Sequence, residues 1–196
     1  MASPVKTLCI LRHPAFTPPA EPTCLGQTDV ELKSALPAAW EKITAVAKDF
    51  QPQIILASDL KRCRIPAEHT AKFLELPLEI LTEWREIAFG EWDGLPWSTI
   101  EQKWPETMTA WMKDFVNTRP PGGESMKIFH TRIGTALDHA LSRPEDKILI
   151  ITHSGVMRSI FCRIAEAPLQ KAFSVEFAFC GLLKMENSSF GLRILL

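Results

Sequence analysis

Leu8-Cys9-Ile10-Leu11-Arg12-His13 decides the fold. An apolar run of strand length delivers an arginine and a histidine together into a proline-rich loop. Ile148-Leu149-Ile150-Ile151-Thr152-His153 repeats the arrangement, with Ser154-Gly155 next. In an open α/β sheet, ligands bind outside the carboxyl ends of the strands. Two strands that both end in histidine, one with an arginine beside it, point to a site for an anion.

Working outward, strand-like runs cover Val5 to Leu11, Ile54 to Ala57, Leu78 to Leu81, Lys147 to Ile151, Ser174 to Phe177 and Gly181 to Glu186. Phe190 to Leu196 is a further candidate. Asn187-Ser188-Ser189 is turn chemistry, so the last two runs can pair as a hairpin. Helical patterns lie between the strands. Ala38 to Phe50 and Pro66 to Leu74 both start at or just after a proline suited to a first turn. In Ser125 to Leu141, the residues Met126, Phe129, Ile133, Leu137 and Leu141 mark one buried face. Gly155 to Ala165 follows the second histidine-bearing strand. Strands alternating with helices predict an α/β fold: a mostly parallel open sheet with helices on both faces. Phe89 to Gly123 departs from the alternation. It holds Trp92, Trp97, Trp104 and Trp111 and ends in Arg119-Pro120-Pro121-Gly122-Gly123. It reads as a small helical cap inserted in a single domain spanning residues 1–196, since it is too short to bury a core of its own.

Composition narrows the function classes. The chain has 196 residues, 46% hydrophobic and 23% charged, with a net charge of -1. That balance suits one globular domain and argues against a nucleic-acid partner. No apolar run approaches the ~20 residues that span a membrane, and the N-terminal stretch is too short for a secretory signal. The expected location is the cytoplasm. The five cysteines form no CxxC pair, so the expected state is reduced thiols, with neither a disulfide framework nor a metal site.

Four pieces carry chemistry. Arg12 offers a planar fork that matches phosphate oxygens, and His13 a neutral imidazole able to act as a nucleophile. Ser58-Asp59-Leu60-Lys61-Arg62-Cys63-Arg64 puts three cations at the next strand end, and charge alone does not separate Arg62 from Arg64. Glu83, Glu86, Glu91 and Asp93 cluster among Trp84, Phe89 and Trp92. A carboxyl group against apolar rings suits a general acid. His153 precedes a helix whose first N–H groups favour anions. His69, His130 and His139 fall inside helical patterns and read as structural.

Taken in this order, the pieces resemble the histidine phosphatase superfamily, which has the phosphoglycerate mutase-like fold. Leu11-Arg12-His13 is similar to its Arg-His-Gly signature, and Ser58 to Arg62 to its Ser-x-x-Leu-x-Arg element. Trp84 to Gly94 is similar to its acid/base segment. Pro121-Gly122-Gly123-Glu124-Ser125 and Thr152-His153-Ser154-Gly155-Val156 also fit. The chain departs from the pattern at Pro14, where glycine is usual, at Phe16 and Pro19, at Asp93, where glutamate is commoner, and at Ala35-Leu36-Pro37.

The resemblance implies that His13 accepts the phosphoryl group and that Arg12, Arg62 and His153 bind its oxygens. It implies that Glu86 protonates the leaving oxygen, with Ser154, Gln27 and Thr28 as further substrate contacts. It implies no metal and no cofactor, and a small phosphorylated substrate as partner. A homodimer is left open. Cys24-Leu25-Gly26-Gln27-Thr28-Asp29-Val30 is similar to a bacterial subgroup of α-ribazole phosphatases, with Leu25 in place of a tyrosine. The expectation is therefore hydrolysis of a phosphomonoester through a phosphohistidine, with α-ribazole 5′-phosphate as leading substrate. A broad sugar-phosphate or nucleotide phosphatase is the alternative. A mutase and a catalytically dead binding module stand behind it. Trp92 or Trp97 is a candidate to face a flat leaving group.

Overall fold

The computed structural model describes residues 5–30, 32 and 37–195. Its first strand, β1 (Lys6–Arg12), leads through α1 (Pro37–Phe50), β2 (Ile54–Ala57) and α2 (Lys61–Leu74) to β3 (Leu78–Ile80). Two short helices follow, α3 (Trp97–Lys103) and α4 (Pro105–Lys113), and then the long α5 (Met126–Ser142). β4 (Lys147–Thr152), α6 (Ser154–Ile164) and the hairpin β5 (Leu182–Ser188) and β6 (Gly191–Leu195) complete the chain. Among the described residues the strands form one sheet in the order β3-β2-β4-β1-β5-β6. β1, β2, β3 and β4 run parallel, and β5 joins antiparallel to β1. This is the expected mostly parallel α/β sheet.

Side-chain alternation explains why helices cover both faces. Leu8, Ile10, Leu56, Ile148 and Ile150 pack with Phe129, Ile133 and Leu137 of α5 and Val156 and Ile160 of α6. Cys9, Leu11, Ile55, Leu149 and Ile151 point the other way, onto Ile43 and Ala47 of α1 and Cys63 and Ala67 of α2. Strands buried on both faces need apolar residues at every position, which is why these runs show no alternation in sequence. All five cysteines are free and buried. No helix among the described residues is long and apolar enough to cross a membrane.

Register brings the two histidines together. Arg12 opposes Thr152 in the β1–β4 ladder. The His13 N–H continues the ladder, donating to the Thr152 carbonyl at 2.8 Å. Both chains therefore leave the sheet side by side at its carboxyl end.

Three local expectations change. The second helix starts at Lys61, and Pro66 lies inside it rather than at its start. An interior proline removes one helical hydrogen bond. Here the first turn is retained because Arg62 and Cys63 on it are buried in tertiary contacts. Ser174 to Phe177 is not a strand, because both edges of β1 are already occupied by β4 and β5. Its carbonyls go to arginines instead: Val175 accepts from Arg158 Nε at 3.0 Å, and Phe177 from Arg12 Nη1 at 2.6 Å. Finally, β5 runs on through Ser188, so the hairpin turns at Ser189 and Phe190. Ala35-Leu36 and Leu196 lie outside the described residues.

Between Gly90 and Lys113 the chain makes a 3₁₀ turn and the helices α3 and α4. Pro105 opens α4 and breaks what would otherwise be one helix. Cys24, Trp92 and Ile100 form a small buried cluster there, packed by Phe89, Trp97, Trp104 and Trp111. Backbone bonds tie this cluster to the loop after β1, with Cys24 N–H donating to Leu95 O at 2.9 Å and Gly94 N–H to Cys24 O at 2.8 Å.

Candidate active site

His13 is buried at the end of β1. Its Nδ1 lies 2.8 Å from the Pro14 carbonyl. A carbonyl can only accept, so Nδ1 carries the proton and Nε2 keeps its lone pair. Proline at position 14 removes a backbone donor but leaves this acceptor intact. Burial, then the like charge of Arg62, pulls the His13 pKa down from 6.5 to about 3, with Arg12 adding to it and the Pro14 bond opposing. The ring is therefore neutral at physiological pH. Phe16 and Phe179 enclose it at centroid separations of 5.9 and 5.6 Å.

Arg12 and Arg62 stand beside His13 and are held differently. Arg12 lies with Cζ 4.0 Å from the Phe179 ring centroid and gives Nη1 to the Phe177 carbonyl. Its Nε is buried without a partner among the described residues. An orphaned buried donor costs roughly 1–3 kcal/mol, which an arriving acceptor offsets. Arg62 is buried on the first turn of α2. Its Nε donates to His153 Nδ1 at 3.1 Å, its Nη1 to Thr28 O at 2.9 Å, and its Nη2 to Gly26 O. Arg64, two residues further round the helix, pairs instead with Glu68 at 3.0 Å near the surface. The helix thus separates the two arginines that charge alone did not.

His153 is completely buried, with its ring edge-on to His13 at 5.3 Å. Since Nδ1 accepts from Arg62, Nε2 carries the proton and donates to Ser58 Oγ at 2.9 Å. Burial first, and Arg62, His13 and Arg12 behind it, holds its pKa well below the usual 6.5. Both ring nitrogens are thus taken. In this arrangement His153 orients Arg62, and it reaches a phosphoryl oxygen only by giving up one of these bonds.

Glu86 reaches the same strand ends from the segment after β3. Its Oε2 accepts from Gly155 N–H at the start of α6, and its Oε1 from Ile87 N–H, both at 3.0 Å. A Cβ at position 155 would lie 2.0 Å from Glu86 Oε1, so only glycine admits the carboxylate there. Glu86 opens onto a cleft of about 270 Å³. Six rings line it, Phe89, Trp97, Trp111, Phe115, Phe129 and Phe173, with Ser154 and Arg158 at the α6 side. Trp97 therefore faces this space, whereas Trp92 is completely buried beneath it.

The remaining expected contacts lie behind the site. Gln27 Nε2 donates to the Glu86 carbonyl at 3.0 Å, and Thr28 Oγ1 to Asp93 Oδ1 at 2.8 Å. Asp93 was grouped by sequence with the acid candidates, but its carboxylate also accepts from the backbone N–H groups of Gly26, Gln27 and Thr28 at 3.0, 2.6 and 3.1 Å. The same loop turns the Gly26 and Thr28 carbonyls onto Arg62. Sequence reasoning also missed Arg132 on α5. It donates to the carbonyls of Glu83, Arg85 and Glu86 at 2.9, 3.1 and 3.2 Å, and forks onto Glu124. Glu124 in turn accepts from Ala88 N–H at 2.9 Å. No spacing in the chain signals these contacts, since the backbone that Arg132 and Glu124 hold is far from them in sequence.

A family model for the histidine phosphatase superfamily (branch 1) matches residues 8–196, so the chain belongs to that family. Among curated relatives, it is 29% identical over 169 residues to a metal-independent phosphoserine phosphatase of Arabidopsis thaliana, covering 84% of this chain and 71% of that protein. It is 27% identical over 122 residues to an adenosylcobalamin/alpha-ribazole phosphatase of Escherichia coli (strain K12), covering 60% of this chain and 58% of that one. The fold superposes on the alpha-ribazole phosphatase from Shigella flexneri with a TM-score of 0.87 at 19% identity, over 97% of this chain and 95% of that one. It also matches a mycobacterial glucosyl-3-phosphoglycerate phosphatase with a TM-score of 0.76 at 22% identity, over 97% of each chain.

Proposed function

We propose that this protein hydrolyses a small phosphomonoester through a phosphohistidine on His13. One observation carries the reading. The Nδ1–H of His13 is fixed on the Pro14 carbonyl, so that Nε2 is a buried lone pair flanked by two guanidinium groups. In the first step Nε2 attacks phosphorus and the bond to the ester oxygen breaks. Glu86 gives its proton to the departing oxygen. In the second step water attacks phosphorus, its proton passes to Glu86, and the P–N bond breaks. Arg12 and Arg62 stabilise charge on the transferred group, the largest single contribution expected in such chemistry. His153 keeps Arg62 in place.

The apolar, ring-lined walls beside Glu86 support a leaving group with a flat body. α-Ribazole 5′-phosphate has such a base and is the first substrate to assay. Sugar phosphates, nucleoside monophosphates and phosphoserine complete the panel. The test joins phosphate release to trapping of an acid-labile, alkali-stable phosphoryl label on the protein. Label on the wild type and none on His13→Ala is the expected result. Stoichiometric label on the variant would remove His13 from the mechanism. Phosphate moved within a substrate without release would mark a mutase. Tight vanadate binding with no turnover would mark a binding module.

A further inference from the structure

Two charged side chains line the cleft, and only one of them belongs to the proposed chemistry. Glu86 is engaged by Gly155 and Ile87. The other is Arg158, one helical turn beyond Ser154 on α6, so that both residues share a face. Its Nε donates to the Val175 carbonyl at 3.0 Å, which fixes the guanidinium plane. Its Cζ lies 5.0 Å from the Phe173 ring centroid. The two terminal nitrogens make no hydrogen bond or ion pair to any described residue. Arg119 also uses only Nε, but it is exposed. Arg158 is half-buried among aromatic rings, where a charge is less well hydrated and an anion would gain more from it. Its charge is also felt by Arg12, where it reinforces the effect of burial.

We propose that Arg158 is an anion subsite for the alcohol portion of the substrate, and that the preferred monoester carries a carboxylate on a flat or apolar body. The free edge of a guanidinium presents two parallel N–H groups, which a planar carboxylate meets in a fork. The cleft, at about 270 Å³, holds a ring with a carboxylate more readily than a ring with a second phosphate. The inference rests on the phosphatase reading and narrows its substrate class. The neutral base of α-ribazole 5′-phosphate would leave Arg158 unanswered, so the two substrate types make opposite demands on this residue.

The experiment compares 4-carboxyphenyl phosphate with 4-carbamoylphenyl phosphate, which match in size and shape and differ in charge. The readout is the ratio of their kcat/KM values in wild type, Arg158→Met and Arg158→Lys. Methionine keeps an apolar stem against Phe173 and removes the charge. From wild type to Arg158→Met, the ratio should fall about ten- to hundredfold, mainly through KM of the carboxylate, as expected for a lost charge-assisted hydrogen bond. Lysine should restore part of it. The same ratio in wild type and Arg158→Met would overturn the subsite and leave Arg158 as a support for the Val175 carbonyl. A wild-type preference for the amide would overturn it in favour of a neutral flat leaving group. Should Arg158→Met fail to fold, inhibition of the wild type decides: 4-hydroxybenzoate should compete more strongly than 4-hydroxybenzamide, and equal inhibition would count against the subsite. Failure of the wild type to hydrolyse p-nitrophenyl phosphate would instead overturn the phosphatase reading itself.

Discussion

The pocket around His13 and the cleft beyond Glu86 meet at the carboxyl ends of the same strands, yet they are built by opposite rules. Around His13 most polar atoms are tied to another, with Arg12 Nε and His13 Nε2 left open among the described residues. Pro14 holds His13, His153 and two loop carbonyls hold Arg62, and Ser58 holds His153. In the cleft the walls are rings that interact by contact, as where Trp97 and Trp111 stack at 5.9 Å with an interplanar angle of 28°. A hydrogen-bonded pocket fixes geometry to within tenths of an ångström, which phosphoryl transfer needs. A wall of rings fixes shape and polarity, and a change there costs contact area rather than alignment. The first region should therefore set the rate of reaction and the second the choice of substrate.

Disturbing Glu86 should have the largest effect and is the sharpest check on this division. Glu86→Gln should slow hydrolysis of an alkyl phosphate such as ribose 5-phosphate by about 10²–10⁴-fold, the usual contribution of a positioned acid. Hydrolysis of p-nitrophenyl phosphate should suffer much less, because nitrophenolate departs without a proton. Single-turnover rates of phosphoenzyme formation keep the first step separate from the second. Equal slowing of that step for both esters would mean that Glu86 only holds Gly155.

Arg62 and Arg64 come next. Arg62→Ala should lower kcat by about 10²–10³-fold, in the range for a removed oxyanion donor. Arg64→Ala removes an exposed pair with Glu68 and should change kcat by less than about threefold. The reverse order would show that the strand-end pocket is not where phosphate is bound.

A third experiment asks whether that pocket is as dry as its hydrogen bonds imply. Folded His13 stays neutral down to about pH 3, whereas in the unfolded chain it takes up a proton near 6.5. Between those values the unfolded state binds the extra proton. The stability it contributes is fully present above pH 6.5 and is lost as pH falls toward 3, by up to about 1.4 kcal/mol per pH unit. His153 acts in the same direction. Denaturant unfolding of His13→Asn should therefore show a shallower loss of stability than wild type between about pH 6 and about pH 4. Parallel curves would mean that the His13 ring is wet.

The smallest effect belongs to the cleft. Trp97→Ala removes a stacked wall worth roughly 0.5–1.5 kcal/mol, so KM for an aromatic monoester should rise about three- to tenfold with kcat within about twofold. A collapse of kcat would show that the cleft also aligns the reacting groups, and the contrast between the regions would fail.

The four acidic residues between Glu83 and Asp93 mark the limit of what could be read in advance. They occupy an irregular stretch with no period of 3.6 or 2, so their side-chain directions follow from no local rule. In the structure Glu83 lies 3.7 Å from His139 Nδ1, Glu91 is exposed, Asp93 holds the loop after β1, and of the four only Glu86 lines the cleft. The family resemblance, not the residue chemistry, singled out Glu86. Pro66 teaches a similar lesson, since a local start signal was overridden by the tertiary anchoring of Arg62.

By itself the sequence was enough to show a mostly parallel sheet and the two strands that end in histidine, though not the sheet's full strand set, since Ser174 to Phe177 is not a strand. Buried strands must be apolar throughout, and that composition is local and legible in β1 and β4. It also determined the buried face of α5, where apolar residues recur at helical spacing. Only the tertiary structure decided that Arg62 turns inward while Arg64 turns out, that both nitrogens of His153 are engaged, and that Asp93, Glu124 and Arg132 hold backbone far from them in sequence. Hydrogen bonds act over about 3 Å and are indifferent to separation along the chain. A residue's partners are therefore known only once packing has set which loops meet.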